Sequence, residues 1–253
     1  MTSPRWVQGE VTVDLTEDHV AVLTLDAPGR RNALTPKMVG DILATVDYIE
    51  SADGVGAVVV TGTPPAFCAG AALGQLDHAD QQVLRQIYSA FLRVHQLSLP
   101  TVAAVGGPAV GAGLNLAFAC DLRVASPSGI FDSRFAKIGL HPGGGVTWLL
   151  RNAVGQSTAT AILLFDQKIG GVEAAERGLA WTCVDDDKLL ATAVALAARA
   201  ARIPVGLSSL IKRSLADTMG FTHAEALELE LERQIWTTTQ PWYAAARSAT
   251  KMR

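Results

Sequence analysis

Two glycine-rich turns, Ala66-Phe-Cys-Ala-Gly-Ala-Ala-Leu73 and Gly107-Pro-Ala-Val-Gly-Ala-Gly-Leu-Asn115, constrain this chain more than any other feature. Each follows a short apolar run and opens into a helical pattern, so each can aim bare backbone N–H groups at one place. The surrounding pattern agrees with such corners. Val11–Leu15 and Val20–Leu25 read as strands around the polar turn Thr16-Glu-Asp-His19. Thr35-Pro36, an N-cap followed by proline at the first helical position, predicts a helix from Pro36 to near Ser51. Met38, Ile42, Leu43, Val46 and Ile49 lie on its apolar side. Val55–Thr61 is a β-branched run that reads as a buried strand feeding the first turn. A helical pattern over Gln81–Leu97 and a strand over Thr101–Val105 lead to the second turn. Leu114–Cys120 has helical spacing, and Leu122–Ala125 is again strand-like. The fold class is therefore α/β, with stacked ββα units winding into a compact spiral; the repeat lies in the pattern and not in the residues.

From Val172 onward the strand signals fade. Lys188–Arg202, Val205–Ala216 and Thr222–Thr237 are helical, the last opened by the capping box Thr222-x-x-Glu225. Leu227, Leu229, Leu231, Ile235 and Trp236 offer more apolar surface than a lone hairpin would bury. The expected organisation is a spiral core over residues 1–195 and a C-terminal helical region over 196–253 that packs onto another subunit.

Composition excludes several classes. A net charge of −3 gives no basic footprint, so nucleic acid is not an expected partner. Cys68, Cys120 and Cys183 are far apart and form no CxxC pair, which matches neither a zinc site nor a disulfide framework. They read as buried small hydrophobes in a reducing compartment. Met-Thr-Ser-Pro-Arg-Trp at the N-terminus lacks an apolar signal core, and no uncharged apolar run reaches the roughly 20 residues of a membrane span. A cytoplasmic protein with no membrane partner and no bound metal is expected.

The glycine turns have competing explanations. Gly111-Ala-Gly-Leu-Asn-Leu116 lacks the third glycine of a dinucleotide fingerprint and comes too late in the chain. No GxxxxGK[ST] occurs, and Gly155-Gln-Ser-Thr-Ala159 matches a serine nucleophile elbow loosely, with alanine last and no strand before it. Taken alone, each turn is also explained by tight packing.

Together, in this order, the turns resemble the two signatures of the crotonase superfamily, the enoyl-CoA hydratases and isomerases. Phe67-Cys-Ala-Gly-Ala-Ala-Leu73 is similar to the family's F-x-A-G-A-D-L turn, and Gly107–Leu116 to its G-x-A-x-G-x-G-x-x-L turn. Arg30-Arg-Asn-Ala-Leu34 resembles the N-terminal turn that contacts coenzyme A. Cys120-Asp-Leu-Arg-Val-Ala125 and Phe135-Ala-Lys-Ile-Gly-Leu-His-Pro-Gly143 fill the next blocks, so the resemblance runs over residues 10–180. It implies an acyl-CoA-binding enzyme whose substrate is a coenzyme A thioester, with no permanently bound cofactor. It also implies a homotrimer or a dimer of trimers. The backbone N–H groups of Ala71 and Ala112 would be the oxyanion donors. Ala66, Cys68, Ala69 and Leu73 would line the adenine and pantetheine path beside Ala33, with Arg30 and Arg31 toward the phosphates. The chemistry is coherent. Enolising a thioester puts negative charge on its carbonyl oxygen, and each preorganised donor there is worth about 3 kcal/mol.

The acid positions depart from the family. Where hydratases of the family carry two glutamates, this chain has Asn115 and Phe135, and where some isomerases carry an aspartate it has Gly143. Between Glu50 and Glu173 there is no glutamate at all. Asn115 can position a water or polarise a group but cannot take a proton at neutral pH. Asp132 and His141 are the nearby substitutes. Strand alternation pairs Asp132 with Arg134 on the face opposite Ser133 and Phe135, which also reads as a structural ion pair. His141 precedes Pro142-Gly-Gly-Gly145, and histidine suits proton transfer near neutral pH, although a turn histidine is also simply solvated. Asp121 reads as a tie between the second helix and the next strand, and Trp148 as core. Three readings stay open: hydration or isomerisation of an enoyl-CoA with an unorthodox acid; decarboxylation or thioester hydrolysis by the oxyanion hole alone; and acyl-CoA binding without catalysis.

Overall fold

Apolar, β-branched segments build the centre of the molecule. In the computed structural model, which describes residues 5–72, 74, 76–77 and 80–251, they form a seven-stranded sheet. The elements run β1 (Arg5–Gln8), β2 (Val11–Leu15), β3 (Val20–Leu25), α1 (Pro36–Ser51), β4 (Ala57–Gly62), α2 (Gln81–His95), β5 (Thr101–Val105), β6 (Pro108–Val110), α3 (Ala112–Ala119), β7 (Leu122–Ala125) and β8 (Ile130–Asp132). There follow α4 (Val146–Leu163), β9 (Ile169–Gly170), α5 (Gly171–Glu176), β10 (Thr182–Cys183), α6 (Leu189–Ala201), α7 (Val205–Asp217), α8 (His223–Thr238) and α9 (Pro241–Lys251).

The large sheet has the order β1-β2-β3-β4-β5-β7-β10, antiparallel as far as β3 and parallel beyond it. A smaller sheet, β6-β8-β9, lies apart from it. Single bridges, Leu34 to Ala71 and Cys68 to Ala109, extend this small sheet through both glycine turns. Each ββα unit thus gives one strand to each sheet, the winding that the strand, strand, helix rhythm implies. Between the layers sits a core of Leu23, Leu25, Met38, Ile42, Phe67, Phe91, Leu114 and Phe131, all essentially inaccessible. On the other face of the large sheet, Val22, Val59 and Val102 pack against Leu189, Ala193 and Ala197 of α6. That packing sets α6 against the sheet, and position 195 lies within this helix.

Local chemistry explains the ends. Thr35 caps α1 by accepting from the Met38 N–H at 3.1 Å, ahead of Pro36. Asp121 accepts from the Thr101 N–H at 2.8 Å and hydroxyl at 2.9 Å and pairs with Lys212, tying the end of α3 to the start of β5. Trp148 departs from the core placement: it is 45% exposed on α4. A helix of α4's length can bury one stripe, and Val146, Leu150, Ala159 and Ile162 occupy it.

Candidate functional site

The first glycine turn is held from three sides. Asn32, fully buried and in left-handed backbone geometry, donates its amide to the carbonyls of Thr63 at 2.9 Å and Ala66 at 2.7 Å and accepts from the Ala27 N–H at 2.9 Å. The Ala69 N–H donates to the Arg31 carbonyl and the Leu34 N–H to the Gly70 carbonyl, so the segment after Arg30 is laced to the turn. From the other side, Cys68 donates to Pro108 and accepts from Val110, while the Gly111 N–H donates to the Asp132 carbonyl. Gly113 lets α3 approach closely, because a Cβ there would collide with the Cys68 carbonyl.

This lacing leaves two amides over. The Leu34 bridge passes through the Gly70 carbonyl and spares the Ala71 N–H, and Ala112 is the first residue of α3, where N–H groups have no helical partner. Neither has a hydrogen-bond partner among the described residues. They are also close neighbours: a Cβ placed on Gly70, the residue joined to Ala71, would lie 3.2 Å from the Ala112 nitrogen. Both residues line one cavity of about 330 Å³.

The cavity wall is mainly apolar, built from Leu84, Ile87, Phe91, Ile138 and Leu140. Its polar side chains are Asn115, Ser133, Tyr88, Arg134 and His141, and no Asp or Glu lines it among the described residues. Asn115 is buried and donates its amide to the Gly143 and Gly144 carbonyls, each at 3.0 Å; its side-chain oxygen has no partner. Phe135 contributes an aromatic surface to the wall. His141 is exposed at the rim, with Nδ1 2.7 Å from the Pro142 carbonyl. A carbonyl can only accept, so Nδ1 is the donor in this contact.

Asp132 is drawn away from this group. Its side chain is 3% exposed, sits at 2.9 Å from Arg134 and 3.4 Å from Lys168, and is not part of the cavity wall. This is the structural ion pair with Arg134 that the sequence also suggests. Arg134 also departs from expectation. Strand geometry ends at Asp132, and a φ of +56° at Arg134 turns the chain so that this residue reaches the cavity.

Among the expected path residues, Ala69, Ala71 and Ala112 line the cavity. Ala66 and Cys68 are buried, and both backbone groups of Cys68 are used in the lacing. Burial pushes the Cys68 and Cys120 thiols up to about 12, so neither is a nucleophile. Arg30 and Arg31 are exposed and Ala33 half-buried outside the cavity; Arg30 pairs with Glu10, which holds its guanidinium charged. Leu73 lies outside the described residues. Sequence reasoning missed Asn32 as the staple of the site, although it stands inside the quoted Arg30–Leu34 block. It also missed Tyr88, whose spacing beside Ile87 and Phe91 reads as core.

Comparison with known proteins identifies the family. The family model for enoyl-CoA hydratase/isomerase matches residues 16–244. The probable enoyl-CoA hydratase EchA14 of Mycobacterium tuberculosis is 42% identical over 246 residues, covering 94% of this chain and 96% of that one. The 1,2-epoxyphenylacetyl-CoA isomerase of Escherichia coli is 31% identical over 233 residues, 89% of each chain. Among solved structures, an enoyl-CoA hydratase from a Polaromonas species superposes with a TM-score of 0.88 at 25% identity, over 96% of both chains.

Proposed function

The chain belongs to the enoyl-CoA hydratase/isomerase family, and on that premise we propose that it is an enzyme acting on an acyl-CoA thioester held in this cavity. The thioester oxygen sits between the Ala71 and Ala112 N–H groups, and the reaction proceeds through the enolate that they stabilise. The carrying observation is the pair of adjacent, unpartnered amides opening into an apolar cavity. In such a setting fixed dipoles act on developing charge without reorganising, and the start of α3 adds its positive end. The nucleotide end of coenzyme A is assigned to the turn bearing Arg30, Arg31 and Ala33, beside Ala69. The assembly that goes with this reading is a homotrimer or dimer of trimers in the cytoplasm. No single helix among the described residues is long and apolar enough to cross a membrane.

Hydration or double-bond isomerisation of an enoyl-CoA is the first assignment. Asn115 orients a water or the chain, and the His141 Nε2 is the remaining basic atom of the wall. The absence of Asp and Glu from the described wall supports a second reading, decarboxylation or thioester hydrolysis, in which the oxyanion hole does most of the work. Incubation with crotonyl-CoA separates them. Loss of the conjugated-enoyl absorbance, slowed at least tenfold in His141→Ala, is the expected result. Unchanged crotonyl-CoA with turnover of malonyl-type or saturated thioesters supports the second reading. Thermal stabilisation by acyl-CoA with no turnover of any thioester would leave a binding protein.

A further inference from the structure

An enolate, however it is formed, returns to a thioester only when a proton is delivered to carbon. The cavity therefore needs a proton donor as well as the oxyanion amides. No Asp or Glu lines it among the described residues. Ser133 commits its hydroxyl hydrogen to the Ile162 carbonyl at 2.9 Å, and Asn115 gives its amide to Gly143 and Gly144. Arg134 is a permanent cation set against Asp132. His141 is exposed at the rim, with Nδ1 directed at Pro142. Tyr88 is what remains. It joins the wall from α2 together with Leu84, Ile87 and Phe91, and its hydroxyl has no hydrogen-bond partner among the described residues. Phe91 braces the ring at 5.6 Å between centroids, and the phenol oxygen lies over Gly143, where a Cβ would collide with it. Gly143 lines the cavity too, and its carbonyl accepts from Asn115, three residues along α3 from Ala112. A short run of contacts thus joins the hydroxyl to the oxyanion amides.

We infer that Tyr88 is the catalytic acid that delivers a proton to the α carbon of the enolate. The inference rests on the acyl-CoA reading and adds a catalytic residue to it. In hydration, the water oxygen bonds to the β carbon as the double-bond pair moves onto the thioester oxygen, and the His141 Nε2 takes the proton that the water loses. The pair then returns to form the α C–H bond with the phenol proton. Solvent carries the proton from imidazolium to phenolate, so one water is consumed and both side chains are restored. The same delivery closes a decarboxylation, in which the pair comes from the broken C–C bond, carbon dioxide leaves, and solvent reprotonates the phenolate.

The test measures turnover of crotonyl-CoA and malonyl-CoA, and equilibrium binding of butyryl-CoA, in wild type, Tyr88→Phe and Gly143→Ala. On whichever thioester wild type turns over, Tyr88→Phe should lower kcat by about 100-fold while butyryl-CoA binding stays near the wild-type value. Gly143→Ala keeps the hydroxyl but pushes it aside, and should lower kcat by roughly tenfold. Near-wild-type turnover in Tyr88→Phe, or matched losses of turnover and butyryl-CoA binding, would overturn the inference and leave the acyl-CoA reading standing. Wild type that binds butyryl-CoA and turns over neither thioester would also overturn it, with acyl-CoA binding intact. If none of the thioesters binds, the acyl-CoA reading itself fails and this inference goes with it.

Discussion

Gly70 carries the most demanding backbone position of the site. Its φ is +87°, and a Cβ there would collide with the Val110 carbonyl oxygen while standing 3.2 Å from the Ala112 nitrogen. An alanine must therefore adopt strained geometry and also push apart the two segments that present the oxyanion amides. Gly70→Ala is expected to destabilise the fold by about 1–3 kcal/mol from backbone strain. Displacing one donor should also reduce turnover by about 100-fold. Gly74→Ala, with open space around its Cβ position, is the matched control and should change neither. Urea midpoints and steady-state rates on a turned-over thioester check both; a Gly70→Ala protein with wild-type rate would remove the assigned oxyanion geometry. Because glycine is needed wherever backbone approaches backbone, Gly70 and Gly113 were visible in the sequence as corner residues. As cavity-wall residues, Arg134 and Tyr88 were not. Alternation places a side chain correctly only while the strand lasts, and the strand stops at Asp132. Tyr88 shares helical spacing with buried Ile87 and Phe91, and a pattern of apolar positions cannot tell a core wall from a cavity wall.

Elements with strong local signals were legible nearly to the residue. Thr35-Pro36 and the apolar stripe behind it set α1, and Thr222 with Glu225 sets the start of α8. Elements made by their neighbours were not: β6 and β8 are short, and tertiary pairing with Cys68 and with each other defines them more than β-propensity does. Position 195 lies inside α6, whose Leu189, Ala193 and Ala197 pack on the large sheet. The capping box gives a pH signature. The Thr222 N–H and hydroxyl donate to the Glu225 carboxylate at 2.7 and 2.8 Å and hold its pKa below the ordinary 4.5. A depressed carboxylate stabilises the folded helix above its unfolded pKa, and that contribution disappears as pH falls through the folded value. Amide exchange in the first turn of α8 should therefore be slower in wild type than in Glu225→Gln at pH 7. The difference should shrink below pH 4.5. A difference independent of pH would mean that the carboxylate charge plays no part.

The molecule as a whole exposes apolar surface that its own chain does not cover. Helix α8 has no buried residue, and Leu227, Leu231, Ile235 and Trp236 remain open to solvent together with Ile211 and the 71% exposed Leu215 of α7. Trp242 closes one end of the group by stacking edge-on against Trp236 and sitting over Gly206, and Arg233 pins α8 to Asp217 and Ser214. The three helices are thus organised among themselves, yet their outer face is unsatisfied, the condition in which association with further copies becomes favourable. At about 25 cal/mol per Å² of apolar area removed from water, even a modest face of this kind outweighs the loss of rotational and translational freedom once several copies close on one another. The proposed trimer or dimer of trimers should appear in sedimentation at micromolar protein. Leu215→Glu with Leu231→Glu places charge on both helices without touching the cavity, and should shift the distribution toward monomer. Because assembly stabilises by mass action, wild type should melt at a temperature that rises with protein concentration, and the double variant should lose that dependence. A wild-type chain that sediments as a monomer, with a melting temperature unaffected by dilution, would show that this face serves something other than copies of itself.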